Sequence, residues 1–405
     1  MINNAAEMHK IVHGKKKNIT LKDFVESYAF GEFISIGAMS ILQKHGVTKT
    51  VNTVTEYNEN SDMVAYTDNT ICYVNAGSEM FDGMDENGES SIERSYDLIL
   101  GAVFHEMGHV IYTDFAATEK RTKEVLKNEI LPKVKSGVSK EHIDTLKIIK
   151  DQLDKGYLIQ DSTGFSIPLI AFVLNLFQSF DNIVEDGRIE KLLLEEDYGF
   201  GGYCHGLEVM RKKHADEILS SNKSIEEENL ISFSNMMLGY AKYSIVPEKM
   251  DNFPLFEEAI PVIDKMTSEF NPEKFADRVL ELVAISYPFF KDSIVEPPED
   301  QDQNQNQQDQ GEGSNNNNSN GFGNGTSPQD PGDDSEQKQN DGSKNRGMDS
   351  LNDVMNGVKN TVDTEVPTYM NDTPKPKVKS SQQNDQNQDK NNQRGCDFGR
   401  ILKSA

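Results

Sequence analysis

The segment Phe104-His105-Glu106-Met107-Gly108-His109-Val110 is the tightest constraint in the chain, because it sets His-Glu-x-x-His inside an otherwise apolar run at residues 98–111. On a helix, residues four apart share one face about a turn from each other. His105 and His109 can therefore offer two imidazoles to a single metal ion. Glu106 sits about a third of a turn round, where its carboxylate can reach a metal-held water without ligating the metal. The flanking residues are uncharged, as a buried active-site helix requires. Two plainer readings stand beside this one: a pair of core histidines satisfied by hydrogen bonds, and a metal site with no open coordination position and so no turnover.

A catalytic zinc takes three protein ligands. His-x-x-Gly-x-x-His spacing is absent, since Phe115 stands six residues after His109. The third ligand is expected in Phe180-Asp181-Asn182-Ile183-Val184-Glu185-Asp186-Gly187-Arg188-Ile189-Glu190, an acidic cluster in a helical run whose neighbours include Leu174, Leu176 and Phe177. Carboxylates in such a run are costly unless paired or metal-bound. Glu185 is the expected ligand. Asp181 and Asn182, one turn earlier, are expected to orient a histidine, with Asp186 and Arg188 as a supporting ion pair. The same cluster also reads as an exposed charged face, or with Asp186 or Glu190 as the ligand. Tyr203 and His205, in the glycine-rich stretch 199–206, are candidate donors to an oxyanion, although an ordinary turn between helices is the simpler reading there. Tyr112 and Asp114 read as supporting or helix-terminus residues.

Around this motif the chain divides by composition. Upstream of about residue 296, leucine, isoleucine, valine and phenylalanine occur at core density, enough for one sizeable domain over 1–295. From 296 to 405 the sequence is Asn, Gln, Asp, Gly and Ser, which cannot bury enough apolar area to offset ordering entropy, so a disordered tail is expected. Met348, Leu351, Val354, Met355, Val358 and Val362 form a weak amphipathic stripe, read as a short helix at 347–362. The net charge of -26 is not confined to the tail, which carries 19 acidic and 11 basic residues. A body this acidic is a poor partner for nucleic acid or an anionic membrane. Three separated cysteines (Cys72, Cys204, Cys396) make no disulfide framework, and neither a secretory signal nor a spanning segment is evident, so a cytoplasmic location is expected.

Pattern along the domain gives an α+β fold: a helix over 21–43, β-branched runs at 50–55, 63–67 and 70–74, then a mostly helical remainder. The second and third runs, joined by Asp68-Asn69, read as a hairpin. Ser90 or Ser91, with Glu93, is expected to cap the motif helix. Further helices are expected over 118–131, 139–155, 167–194, 206–220, 225–243, 256–270 and from 272 to 287 or 290.

Two stretches together, His105-Glu106-Met107-Gly108-His109-Val110-Ile111-Tyr112-Thr113-Asp114-Phe115 and Asn182 to Glu190, resemble the metallopeptidase-type domain of bacterial and phage proteins that carry a von Willebrand factor A domain. These are related to the cobaltochelatase CobT-like group, with a pattern HExxHxxxTDF followed by N-x-x-E-D-x-R-I-E. Ala65-Tyr66-Thr67-Asp68 before a strand also fits, and the similarity covers roughly residues 55 to 200. The resemblance implies a zincin-like fold and a gluzincin-type site in which His105, His109 and Glu185 hold one zinc and Glu106 is the base, acting on a peptide or protein substrate. It also implies an A-domain protein or a MoxR-type AAA+ ATPase as partner. No D-x-S-x-S motif follows residue 296, so the chain resembles the front half of such proteins with the A domain missing. The chelatase-like relatives suggest another function, a catalytically inactive zinc-binding assembly or chaperone module. A phage-encoded accessory role is a third expectation.

Overall fold

In the N-terminal third, short amphipathic helices and brief β-branched runs alternate too quickly for any one element to bury itself, and they assemble instead on the motif helix. The computed structural model describes residues 10–12, 19–61, 63–84, 91–133, 137–196, 200–222 and 225–297. The expected tail beyond Pro297, with the 347–362 stripe and Cys396, lies outside the described residues.

The expected helix over 21–43 is two helices, α1 (Leu21–Val25) and α2 (Tyr28–Lys44). Ser27 makes the break, because its side chain accepts a hydrogen bond from Phe30 N and so caps a new helix. Strands β1 (Asn52–Glu56), β2 (Ala65–Thr67) and β3 (Ile71–Asn75) form a sheet in the order β1-β3-β2. The expected hairpin is β2–β3, antiparallel with Tyr66 opposite Tyr73. Its turn is held by Asp68 Oδ1, which accepts from the backbone N–H groups of Thr70 and Ile71, while Asn69 takes a left-handed φ of 74°. β1 runs parallel to β3 on the other side.

The motif helix, α3 (Ile92–Tyr112), starts at Ser91, whose side chain accepts from Arg94 N. It stops where Thr113 turns extended and Asp114 caps the next helix, α4 (Phe115–Leu126), by accepting from Ala117 N. Asp114 is thus a helix-terminus residue. α5 (Lys140–Asp154) leads to two strands absent from the sequence reading, β4 (Leu158–Gln160) and β5 (Ser166–Pro168). They are short, and the apolar run after Phe165 looks continuous with the helix that follows. Asp161 Oδ1 builds the turn between them by accepting from Thr163 N and Phe165 N. The long α6 (Leu169–Glu196) follows, then α7 (Gly201–Asn222), α8 (Leu230–Tyr243), α9 (Pro254–Met266), α10 (Pro272–Ser286) and β6 (Ile294–Val295), which completes a second sheet in the order β5-β4-β6. The start of α8 falls later than the apolar pattern suggested, because Asn229 and Ser232 form a reciprocal capping box there.

Among the described residues the fold is therefore α+β, mostly helical, with two small sheets. Its apolar side chains form two cores. One gathers α1, α2, the first sheet, α3 and part of α7 around Phe24, Phe30, Phe81 and Phe104; the other gathers α5, α8, α9 and α10 around Phe172, Phe177, Phe233 and Phe256. The long α6 belongs to both, contributing Leu169 through Val184 to the second core and Leu193 to the first. The polar run 185–190 falls between these contributions.

Two glycine contacts fix the helices there. A Cβ on Gly206 of α7 would lie 2.8 Å from Gly101 N of α3 and closer still to Asp97 O. A Cβ on Gly187 of α6 would lie 2.6 Å from the carbonyl carbon of Ala241 on α8. Among the described residues, no helix is long and apolar enough to cross a membrane. Cys72 and Cys204 are buried, and neither is in a disulfide.

Candidate metal centre

Helix α3 presents His105 and His109 one turn apart, and α6 presents Asp186 and Glu190 with the same spacing. All four are buried, with exposures of 2%, 4%, 1% and 0%. Asp186 Oδ1 lies 3.6 Å from His105 Nε2 and 3.2 Å from His109 Nε2. The imidazole rings stand nearly perpendicular, 5.0 Å apart between centroids. One ligand atom from each of His105, His109 and Asp186 lies within 4.8 Å of the others, so this buried group could hold a metal ion.

The remaining ring nitrogens are spoken for. His105 Nδ1 is 3.0 Å from Glu190 Oε1, which as a carboxylate can only accept, so Nδ1 carries the proton. His109 Nδ1 is 3.1 Å from Thr113 Oγ1, and that hydroxyl donates in turn to Glu185 Oε1 at 2.6 Å. Thr113 has spent its only proton on Glu185, so it accepts from His109 Nδ1–H. Both histidines are thereby set to the tautomer whose Nε2 lone pair faces Asp186, as in carboxylate–histidine–metal arrangements. Two imidazole nitrogens and a carboxylate oxygen facing each other need a cation between them, either a proton on an imidazole or a metal ion. The charges express this: burial works against the imidazolium of His105, yet Asp186 and Glu190 outweigh it and hold the ring up at about 9. Asp186 and Glu190 themselves sit well below the usual carboxylate range; burial opposes this, but Lys242 and His105 prevail.

The structure brings Asp186, and not the expected Glu185, to the two histidines. Arg188 donates to both Glu185 oxygens, from Nε to Oε2 and from a terminal nitrogen to Oε1, each at 2.7 Å. The cause is helical spacing. Glu185 and Arg188 lie three apart and pair with each other, while Asp186 is rotated a third of a turn further, toward α3. The expected Asp186–Arg188 pair is accordingly Glu185–Arg188, and Asp186 has Lys242 of α8 as its cation, 3.6 Å from Oδ2.

Asp181 and Asn182 are not the histidines' orienting partners; Glu190 and Thr113 are. Tyr203 and His205 are also corrected. Both belong to helix α7 rather than to a loop over the site. Tyr203 is buried against Phe33 and Phe104, and His205 is largely exposed, 3.6 Å from Asp97. Gly206 serves the close α3–α7 crossing. Tyr112 holds Glu196, its hydroxyl donating to Oε2 at 2.9 Å.

Glu106 is 1% exposed, and among the described residues neither of its carboxylate oxygens has a hydrogen-bond partner. The same holds for Asp186 Oδ1 and His109 Nε2. Buried polar atoms are rarely left so, and Asp186 Oδ1 and His109 Nε2, 3.2 Å apart, are atoms a metal ion would satisfy. Burial pushes the Glu106 carboxyl up, with His105 and His109 opposing. Beside Glu106 is a small cavity of about 10 Å³ lined by His105, His214, Lys242, Tyr243 and, from β2, Ala65.

The sequence reading missed Thr113, Lys242 and Arg211, which pairs with Glu190 Oε2. The signals were present: Thr113 follows His109 by four, Asp186 and Glu190 repeat the His105–His109 interval, and Lys242 is a lone cation on an apolar stretch of helix.

A larger cleft of about 110 Å³ opens on the far side of Thr113 and Glu185, with Asp181, Arg188 and Phe275 on its walls. Burial, followed by the charge of Glu185, pushes Asp181 up to about 8. An acid whose folded-state pKa is raised binds its proton more tightly when folded, so it costs stability as pH climbs from its unfolded value to its folded one. Asp181→Asn removes that cost. The variant is expected to match the parent near pH 4 and to exceed it by on the order of 2 kcal/mol above pH 8, after allowance for partial exposure. Urea unfolding at both pH values measures the difference, and an equal effect at both would contradict it.

No protein-family model, no curated protein and no solved structure matches this chain.

Proposed function

We propose that the chain is a zinc-dependent peptidase. The observation that carries this reading is the buried His105–His109–Asp186 group with the unpartnered carboxylate of Glu106 on the next residue of the same helix. Two imidazoles and one carboxylate are a common donor set for catalytic zinc and leave a fourth position for water or substrate. Bound there, zinc would supply Lewis-acid polarisation of a carbonyl and activation of water. Glu106 takes the proton from the attacking water and delivers it to the leaving amine, a role suited to a carboxyl raised by burial. Glu190 and the Thr113–Glu185 pair hold the two imidazoles in the required tautomer throughout. The resemblance of the two motif stretches to metallopeptidase-type domains supports the same reading.

Glu106→Gln is expected to keep stoichiometric zinc and lose about 10²–10⁴-fold in hydrolysis of a quenched-fluorescent peptide library. Hydrolysis unchanged in the variant would sink the proposal. One observation favours a second reading, a non-catalytic zinc-binding assembly module: the cavity beside Glu106 has room for about one water rather than a peptide. On that reading Glu106→Gln is biologically silent while His105→Ala is not.

A further inference from the structure

Lys242 is a buried cation beside a site that already has to accept a metal dication. Its side chain is 1% exposed, and its ammonium lies 2.6 Å from Glu190 Oε1 and 3.6 Å from Asp186 Oδ2. The backbone puts it there. Gly187, next to Asp186, has no Cβ, so α6 and α8 meet at Gly187 and Ala241, and Lys242 is the next residue of α8. Arg211 reinforces the placement by pairing with Glu190 and donating to Lys242 O.

The consequence is that the two oxygens of Asp186 have different partners. Oδ1 faces the histidines, 3.2 Å from His109 Nε2, while Oδ2 faces an ammonium on the opposite side. We infer that Lys242 is a positioning residue that restricts Asp186 to one ligand oxygen and so sets the centre's preference for zinc over larger, oxygen-seeking dications. The inference rests on the metal-binding reading of His105, His109 and Asp186. Zinc is satisfied by four ligands, whereas manganese and calcium favour more numerous oxygen donors. With Oδ2 held by Lys242, the protein supplies two nitrogens and one oxygen. Without Lys242, the carboxylate is free to turn and offer both oxygens, and the added negative charge attracts any dication alike.

The test is selectivity rather than activity. Zinc and manganese affinities are measured by calorimetry on the full chain, with the visible spectrum of the cobalt-loaded protein as a report on coordination number. Lys242→Met is expected to lower the zinc-to-manganese affinity ratio by about 10–100-fold, the range found for groups that support ligands, and to weaken the visible cobalt bands as coordination rises. Lys242→Arg, which keeps the cation, is expected to retain most of the ratio. Should Lys242→Met fail to fold, Lys242→Gln carries the same expectation, since it can still hydrogen-bond Glu190. An unchanged ratio and cobalt spectrum in folded Lys242→Met or Lys242→Gln would overturn the inference while leaving the zinc site standing. A parent protein that binds neither metal would overturn both.

Discussion

Asp186→Asn is expected to cost far more zinc affinity than Glu185→Gln. The parent aims Asp186 Oδ1 at both histidine Nε2 atoms, and the amide that replaces it is an uncharged, much poorer ligand. Its loss should exceed the roughly 10–100-fold that removal of a supporting group costs. Glu185→Gln should stay within that smaller range. Glu185 acts only through Thr113, whose hydroxyl can still donate to the amide oxygen of glutamine. Both substitutions preserve side-chain shape, but each leaves a buried cation, Arg188 or Lys242, short of its counter-charge, so thermal melts of both variants accompany the titration. Calorimetric zinc titration of the two variants and the parent distinguishes the assignments, and a larger loss for Glu185→Gln would restore the ligand suggested by motif resemblance.

The largest expected effect on stability lies at a position with no chemistry. Gly206→Val should destabilise the domain by about 3 kcal/mol or more, lowering the thermal midpoint by roughly 6–12 °C. The new Cβ would meet Gly101 N at 2.8 Å and Asp97 O at a still shorter distance. Both are backbone atoms of α3, so no side chain can swing aside, and relief requires separating α3 from α7. That separation would also loosen the packing of the helix that carries His105 and His109. Gly31 is the control: a Cβ there meets nothing within 4 Å, so Gly31→Ala in α2 should stabilise by about 0.5–1 kcal/mol through helix propensity alone. Differential scanning calorimetry of the two variants measures both. A Gly206→Val midpoint close to the parent's would mean that the α3–α7 contact is not as close as described.

How much of this could be read from the chain depends on the range of the interaction concerned. Ser91 as the cap of α3, the Asp68-Asn69 hairpin and the mostly helical remainder follow from neighbours in sequence, and the structure has them. Local signals failed where a short-range alternative competed. Ser27 splits one apolar stretch into two helices, β5 is hidden at the start of a run that reads as helix, and β4 is too short to stand out between two helices. The site divides in the same way. His105 and His109 share one helix face, with Glu106 about a third of a turn round, by arithmetic alone. Choosing among Glu185, Asp186 and Glu190 requires the rotation of α6 relative to α3, which the Gly187–Ala241 contact and the two cores decide, and no local pattern encodes that rotation. Pairing by spacing was informative once the partner was known: Glu185 is three residues from Arg188 and pairs with it, which leaves Asp186 for the histidines. Lys242 was the hardest to foresee, because its partners come from α6, more than fifty residues away.

The most direct measurement is X-ray absorption at the zinc edge of the zinc-loaded full chain, compared with Asp186→Asn. One zinc per chain is expected, with two imidazole nitrogens and a carboxylate oxygen at about 2.0–2.1 Å, and with that shell lost in the variant. A parent that takes up no zinc, or a shell with fewer than two imidazoles, or one unchanged by Asp186→Asn, would contradict that expectation.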